Sequence, residues 1–295
     1  MEFIVTVEKI EDINLFCEAG ATVLLFCDEF HGTRAPSKFK QEELIEAFGK
    51  TQELGLKVAV YMNRIYTDKE LEQAEEYMKF LKEHGVAFIY YNDPAVYILA
   101  ESLGLVGHLV YEPDTLMTNS RDMQFVLDQG IHHAVLSTEI TLDEMKEMCI
   151  NVHGNTEAIL FGYLNMSYSK RHLIQNYCDE IGADNTCVNK MNCVLIESTR
   201  EGKMPILEDE QGTHIFTDYI LDAFDEFKVL KDTGLKSMRI DGIFLPRDLV
   251  VDACKAFVMI DLGMDSEVIR KKFEEKYSEY PFSKGYMYQK TNLVK

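Results

Sequence analysis

The chain has 295 residues, 46% of them hydrophobic and 27% charged, with no tryptophan. A fold of this length buries roughly three quarters of its extended-chain surface, which excludes disorder as the dominant state. Fifty acidic side chains against 30 basic ones leave a formal charge of −20, and that field repels phosphate backbones, so a stand-alone nucleic-acid binder is excluded unless a basic patch or a partner supplies the contact.

The N-terminus carries no basic segment, long apolar run or small-residue cleavage site. No stretch approaches the roughly 18 uninterrupted apolar residues of a membrane span. The expectation is a soluble, cytoplasmic protein with no membrane partner. After an opening strand at residues 3–7, one phrase recurs seven times: an amphipathic helical stretch, a glycine, then a short apolar strand. The glycines are Gly20, Gly55, Gly85, Gly104, Gly130, Gly154 and Gly234. The strands after them fall at residues 22–26, 57–61, 86–90, 108–111, 132–136, 157–160 and 236–240. Glycine takes the left-handed conformation that ends a helix, and short runs of β-branched and aromatic residues suit buried parallel strands. Thr67, Asn119 and Thr141 precede helical stretches as N-caps. Eight strands alternating with helices predict an α/β fold, a (β/α)₈ TIM-type barrel of one domain over residues 1–295. An open doubly wound sheet would show a glycine-rich fingerprint after the first strand, and none is present. An insertion at residues 163–219 follows strand seven and is expected over the barrel mouth.

In such a barrel, polar residues just past the strands face the site. They include Asp28, His31 and Arg34 after strand two, Asn63 after strand three and Asp93 after strand four. Glu112 and Asp114 follow strand five, Thr138 and Glu139 strand six. Asn165, Ser167, Tyr168 and Arg171 follow strand seven, and Asp241 strand eight. Glu139, Arg171 and Asp241 are the candidate catalytic residues. Asp28, His31, Arg34, Asn63, Asp93, Asn165, Ser167 and Tyr168 are the candidate substrate-binding ones, forming a polar ring suited to a small polar or anionic ligand. Seven cysteines, an odd number without tandem spacing, predict free thiols in a reducing compartment. Cys178, Cys187 and Cys193, with His172, could hold a metal, but no pair has the spacing of a zinc knuckle. No serine-hydrolase elbow, zincin motif or P-loop is present.

The run from Glu157 through Phe161, Asn165, Ser167, Tyr168, Ser169, Arg171 and His172 resembles the signature of the collagenase-like peptidases, peptidase family U-32. The resemblance continues through residues 207–216 and 237–242, and Glu139 falls in a family segment upstream. It implies a peptidase, and thus a hydrolase, by label, although no recognised nucleophile or metal accompanies the label. Other members resemble RNA-modifying factors that hydroxylate tRNA or ribosomal RNA, or serve ubiquinone hydroxylation. Some pair a long member with a short one. Four cysteines of the family hold an iron–sulfur cluster in some members. Here Asn165 and His172 replace two of them, Phe161 replaces the family's histidine, and only Cys187 and Cys193 remain. No cofactor is therefore expected, with a cluster through Cys178 and His172 as the one route to it. The chain resembles the short member: a subunit for wobble-uridine hydroxylation whose longer paralogue holds the tRNA. The alternatives are a collagenase-like peptidase and a catalytically silent binding or scaffold barrel.

Overall fold

The computed structural model describes residues 1–198 and 202–289; parts of the expected insertion (199–201) and of the C-terminal tail (290–295) lie outside the described residues. The elements run β1 (Glu2–Thr6), α1 (Ile13–Ala19), β2 (Val23–Cys27), α2 (Gln41–Glu53), β3 (Lys57–Met62), α3 (Leu71–Glu83), β4 (Phe88–Tyr91), α4 (Pro94–Leu103), β5 (Leu109–Tyr111), α5 (Ser120–Leu127), β6 (His133–Val135), α6 (Leu142–Asn151) and β7 (Asn155–Ser169). They continue with α7 (Leu173–Ile181), β8 (Val194–Ile196), β9 (Lys203–Asp209), β10 (Gly212–Asp222), α8 (Phe224–Thr233), β11 (Ser237–Ile240), α9 (Arg247–Asp261), α10 (Ser266–Lys276) and β12 (Phe282–Ser283).

Strands β1 to β7 pair in sequence order, all parallel. The cylinder closes because β11 pairs in parallel with both β1 and β7. The expected eight-stranded barrel is therefore present, with each repeated phrase supplying one helix and one strand. Alternation along the strands produces two apolar shells. Inward residues such as Ile4, Leu25, Ala59, Phe88 and Val110 form an inner cluster. Outward ones such as Val5, Leu24, Val60 and Ile89 pack under the helices in a much larger one. The helix ends follow their local chemistry. Asn119 Oδ1 accepts from the N–H groups of Arg121 and Asp122 at 3.1 and 3.0 Å, and Thr141 and Glu144 form a capping box.

The inserted segment differs from the expectation. Strand β7 does not stop at the barrel rim. Its first half pairs within the barrel, and its second half projects beyond it, antiparallel to β10. Asn165, Ser167 and Tyr168, expected in a loop after strand seven, lie inside this 15-residue strand. Gly162 marks the departure point. Its φ is +125°, and a Cβ there would stand 2.3 Å from the Asp241 carbonyl oxygen, so only glycine permits β7 and the end of β11 to approach so closely. Strand β9 pairs with β10, and β8 with β9, to complete an arm. The carboxylate of Glu208, fully buried, organises it: its oxygens accept from the N–H groups of Ile174 and Gln175, from Asn185 Nδ2 and from Thr213 Oγ1, at 2.7–3.1 Å.

The cysteines need a second correction. Seven free thiols were expected, but Cys187 and Cys193 are joined in a disulfide with Cα atoms 5.8 Å apart. Free Cys27, Cys149, Cys178 and Cys254 are buried, and Cys17 is half-buried.

Candidate functional site: the polar interior and mouth of the barrel

The barrel is not filled by hydrocarbon alone. Arg239, in the middle of β11, is completely buried. Its guanidinium forms an ion pair with Glu112 through Nη2, donates from Nη1 to Glu112 Oε2 at 3.1 Å and to the Tyr61 hydroxyl at 3.2 Å, and stands 3.5 Å from Glu157 Oε1 through Nε. Glu157 in turn accepts from the Tyr90 hydroxyl at 2.6 Å and lies 2.7 Å from His133 Nε2. The network joins residues of β3, β4, β6, β7 and β11 and the residue just past β5. Burial alone would raise Glu157, but Arg239 and the His133 contact outweigh it and hold its carboxyl below the usual range. Glu112 goes the other way: burial raises it despite Arg239. Two carboxylates around one guanidinium thus sit in different environments.

Above this network lies a small cavity of about 30 Å³, room for one or two waters or one ligand group. Arg34, Asn63, Glu112, Asn165 and Asp241 supply polar walls, with Tyr61 at the floor. Arg34 is 5% exposed. Its Nη1 donates to Asp114 Oδ2 at 2.9 Å, while its Nη2 has no partner, and neither has Asn165 Oδ1. Buried groups left unpaired cost free energy unless water or a ligand meets them. Asn63 uses both ends of its amide on Thr33, accepting from the backbone N–H at 2.9 Å and donating to the carbonyl at 3.1 Å. It holds the adjacent Arg34 in place. Asp241 accepts from the Ile243 N–H at 3.1 Å, and burial raises its carboxyl above the usual range. Backbone strain collects here too. Arg34, Asp114 and Phe244 have φ of 58°, 56° and 62°, a conformation side chains rarely adopt and one that clusters at functional sites.

Of the remaining candidates, Tyr168 belongs to the site's rim, stacked on His214 with ring centroids 4.5 Å apart and 5.7 Å from the Arg34 guanidinium. Glu139 and Arg171, expected to converge with Asp241, are both exposed and neither lines the cavity. Ser167 is exposed on the arm. Asp28 is occupied locally, accepting from the N–H groups of Phe30 and Gly32 at 3.2 Å. His31 stacks on Tyr77 at 4.2 Å and meets the Tyr66 hydroxyl at 3.2 Å. Burial lowers it to about 3. Asp93 caps α4, accepting from the Ala95 N–H at 2.9 Å. Arg239, Glu157 and Tyr61 were not among the sequence candidates. The available signal was a charge inside an apolar strand, Arg239 falling two positions before Asp241 and so on the same inward face.

A nucleophile–base pair exists only in outline. Thr33 Oγ1 lies 3.0 Å from His214 Nε2, but both residues are fully buried. Asp209 approaches the same nitrogen at 3.9 Å, leaving Nδ1 without a partner. Burial and Arg34 lower His214 to about 3. A triad needs the carboxylate on the other nitrogen and an accessible hydroxyl. Of the candidate iron–sulfur ligands, Cys187 and Cys193 are bonded to each other, and among the described residues no group of three or more histidine, cysteine or carboxylate side chains is gathered in one place.

The family model of peptidase family U32 matches residues 8–293. The chain belongs to peptidase family U32. It is 30% identical over 283 residues to the tRNA hydroxylation protein P2 of Bacillus subtilis (strain 168), covering 95% of this chain and 91% of that protein. It is 20% identical over 247 residues to the tRNA hydroxylation protein P1 of the same organism, covering 82% of this chain and 58% of that longer protein. Among solved structures, the U32 peptidase Mk0906 aligns with a TM-score of 0.47 and 11% identity, over 56% of this chain and 70% of that one. Among the described residues, no helix of this U32 protein is long and apolar enough to cross a membrane.

Proposed function

We propose that this U32 protein is a subunit of a tRNA-hydroxylating system, acting in the cytoplasm beside a longer member of its family that holds the tRNA. The observation that carries the reading is its near full-length similarity to the tRNA hydroxylation protein P2, together with the weaker match to the longer P1. Two physical features support a subunit over a free-standing RNA enzyme. The charge of −20 opposes direct contact with phosphates. The arm also exposes apolar side chains at helical spacing, Leu173, Tyr177 and Ile181 on α7, with Val194 and Ile196 on β8. Such a surface suits a protein partner, and the net charge repels a second copy of the chain. The mouth cavity supplies the chemistry: Arg34 and Asn165 orient a small polar group, and Asp241, with its raised carboxyl, is the proton-transfer residue in preference to Glu139 and Arg171.

The test is deletion of the gene followed by mass spectrometry of tRNA nucleosides. Loss of the hydroxylated wobble uridine, restored by the wild-type gene but not by Asp241→Asn, is the expected result. Unchanged nucleosides in a strain lacking every parallel hydroxylation route would overturn the reading. The peptidase reading has only the family label behind it, since Thr33 and His214 are buried and wrongly arranged. Purified protein is expected to leave gelatin intact.

A further inference from the structure

Beside the barrel mouth runs a groove of about 830 Å³, between the loop after β2 and the arm. Phe30, Arg34 and Lys38 wall its barrel side; Leu207 and Asp209 of β9 share its arm side with Asn189 and Met191. Asn189 and Met191 lie inside the ring closed by the Cys187–Cys193 disulfide, which spans only six positions. Asn189 has φ of 56°, the left-handed conformation that asparagine accepts in tight turns. The ring is also tied to β9 through its backbone, once at Asn189 inside it and once at its Cys193 end. The Asn189 N–H donates to the Glu208 carbonyl at 2.8 Å, and the Ile206 N–H to the Cys193 carbonyl at 3.1 Å. The backbone therefore keeps the two cysteines near each other whether or not they are bonded.

We propose that Cys187 and Cys193 form a thiol–disulfide exchange site whose redox state sets the arm-side wall of the groove. Both sulfurs sit on half-buried residues in an exposed loop, where small thiols and disulfides have access; disulfides so placed are the labile ones. Cys27 and Cys254 offer no competition, because burial pushes their thiols up, Cys254 to about 12, and reactivity follows the thiolate. The oxidising partner is a small-molecule disulfide such as oxidised glutathione. One cysteine thiolate attacks it, forming a mixed disulfide and releasing one thiol. The second cysteine thiolate then displaces the other thiol and closes the ring. Two cysteine thiols are oxidised, one disulfide is reduced to two thiols, and the two protons pass to the departing thiolates. A dithiol reductant reverses both steps.

The full-length protein is equilibrated in glutathione buffers of varied poise, quenched by alkylation and mapped by mass spectrometry, with amide hydrogen exchange on the same samples. In the oxidised buffers, cross-linked peptides joining Cys187 to Cys193 and five alkylated thiols after unfolding are expected, rising to seven after dithiothreitol. Reduction is expected to lower, without abolishing, exchange protection at Cys187, Asn189 and Lys190, whose N–H groups are hydrogen-bonded, while leaving β1 to β6 unchanged. The double variant Cys187→Ser/Cys193→Ser should match the reduced protein in every buffer. Seven alkylated thiols under oxidised glutathione, a bond from either cysteine to Cys178, iron or zinc retained by the pair, or identical exchange in both redox states would each overturn the proposal.

Discussion

An arginine with no exposed surface is tolerated at the centre of this barrel because two carboxylates and a tyrosine hydroxyl surround it. The desolvation cost of a buried pair is offset only while every partner stays in place. Arg239→Met is expected to leave Glu112 and Glu157 buried without their cation and to cost about 3–5 kcal/mol in urea unfolding. Adding Glu157→Gln should recover part of that loss, and a single variant as stable as wild type would show that the network is not the barrel's electrostatic keystone. Asp241 differs in kind, since it borders the cavity and Asn keeps its shape. Asp241→Asn is expected to abolish complementation of the deletion strain while the thermal midpoint stays within about 2 °C, a shift corresponding to about 1 kcal/mol.

At the scale of elements, the informative feature is a single strand serving two structures. The first half of β7 is a barrel stave and its second half is the root of the arm. Gly162 allows the passage, so Gly162→Ala should shift the end of β11 and Asp241 with it. The expected readout is a lowered thermal midpoint together with loss of function, whereas Gly49→Ala within α2, where a Cβ meets nothing within 4 Å, should leave function intact. The apolar face of α7 makes a separate prediction. Leu173→Ser/Tyr177→Ser/Ile181→Ser should leave the isolated chain's melting unchanged, because these side chains are exposed, yet abolish co-purification with the longer family member when the two are co-expressed. Retained co-purification would move the interface elsewhere.

For the whole molecule, pH acts through groups that folding takes out of water. His31 and His214 are both lowered to about 3 by burial, against an ordinary value near 6.5. The unfolded chain therefore binds more protons than the folded one between about pH 3 and 6.5, and the stability these two contribute is lost as pH falls through that window. Asp28 and Asp222, each raised to about 6 by burial, pull the opposite way, because the folded state holds their protons longer. Comparing variants isolates the histidine share. His31→Phe/His214→Phe should be less destabilised relative to wild type at pH 4.5 than at pH 7.5, measured by urea unfolding. An equal offset at both values would mean that the imidazoles are not buried neutral.

What the amino-acid sequence determined by itself was the local grammar. Helix, glycine and strand recur with caps and periods that need no distant partner, so eight strands and their order were legible in it. Position past a strand also picked out Arg34, Asn63, Asn165 and Asp241, because the end of a barrel strand is a place in space as well as in sequence. Tertiary structure alone decided the rest. Glu112, Glu157 and Arg239 meet across separations of 82 and 127 residues, and no local spacing encodes that meeting. Glu139 and Arg171 share the strand-end grammar, yet face solvent. The pairing of Cys187 with Cys193 comes with backbone bonds that seat their loop on β9. A one-dimensional pattern specifies which residues leave water; which of them then meet is set by closure of the barrel and by the arm folded against its rim.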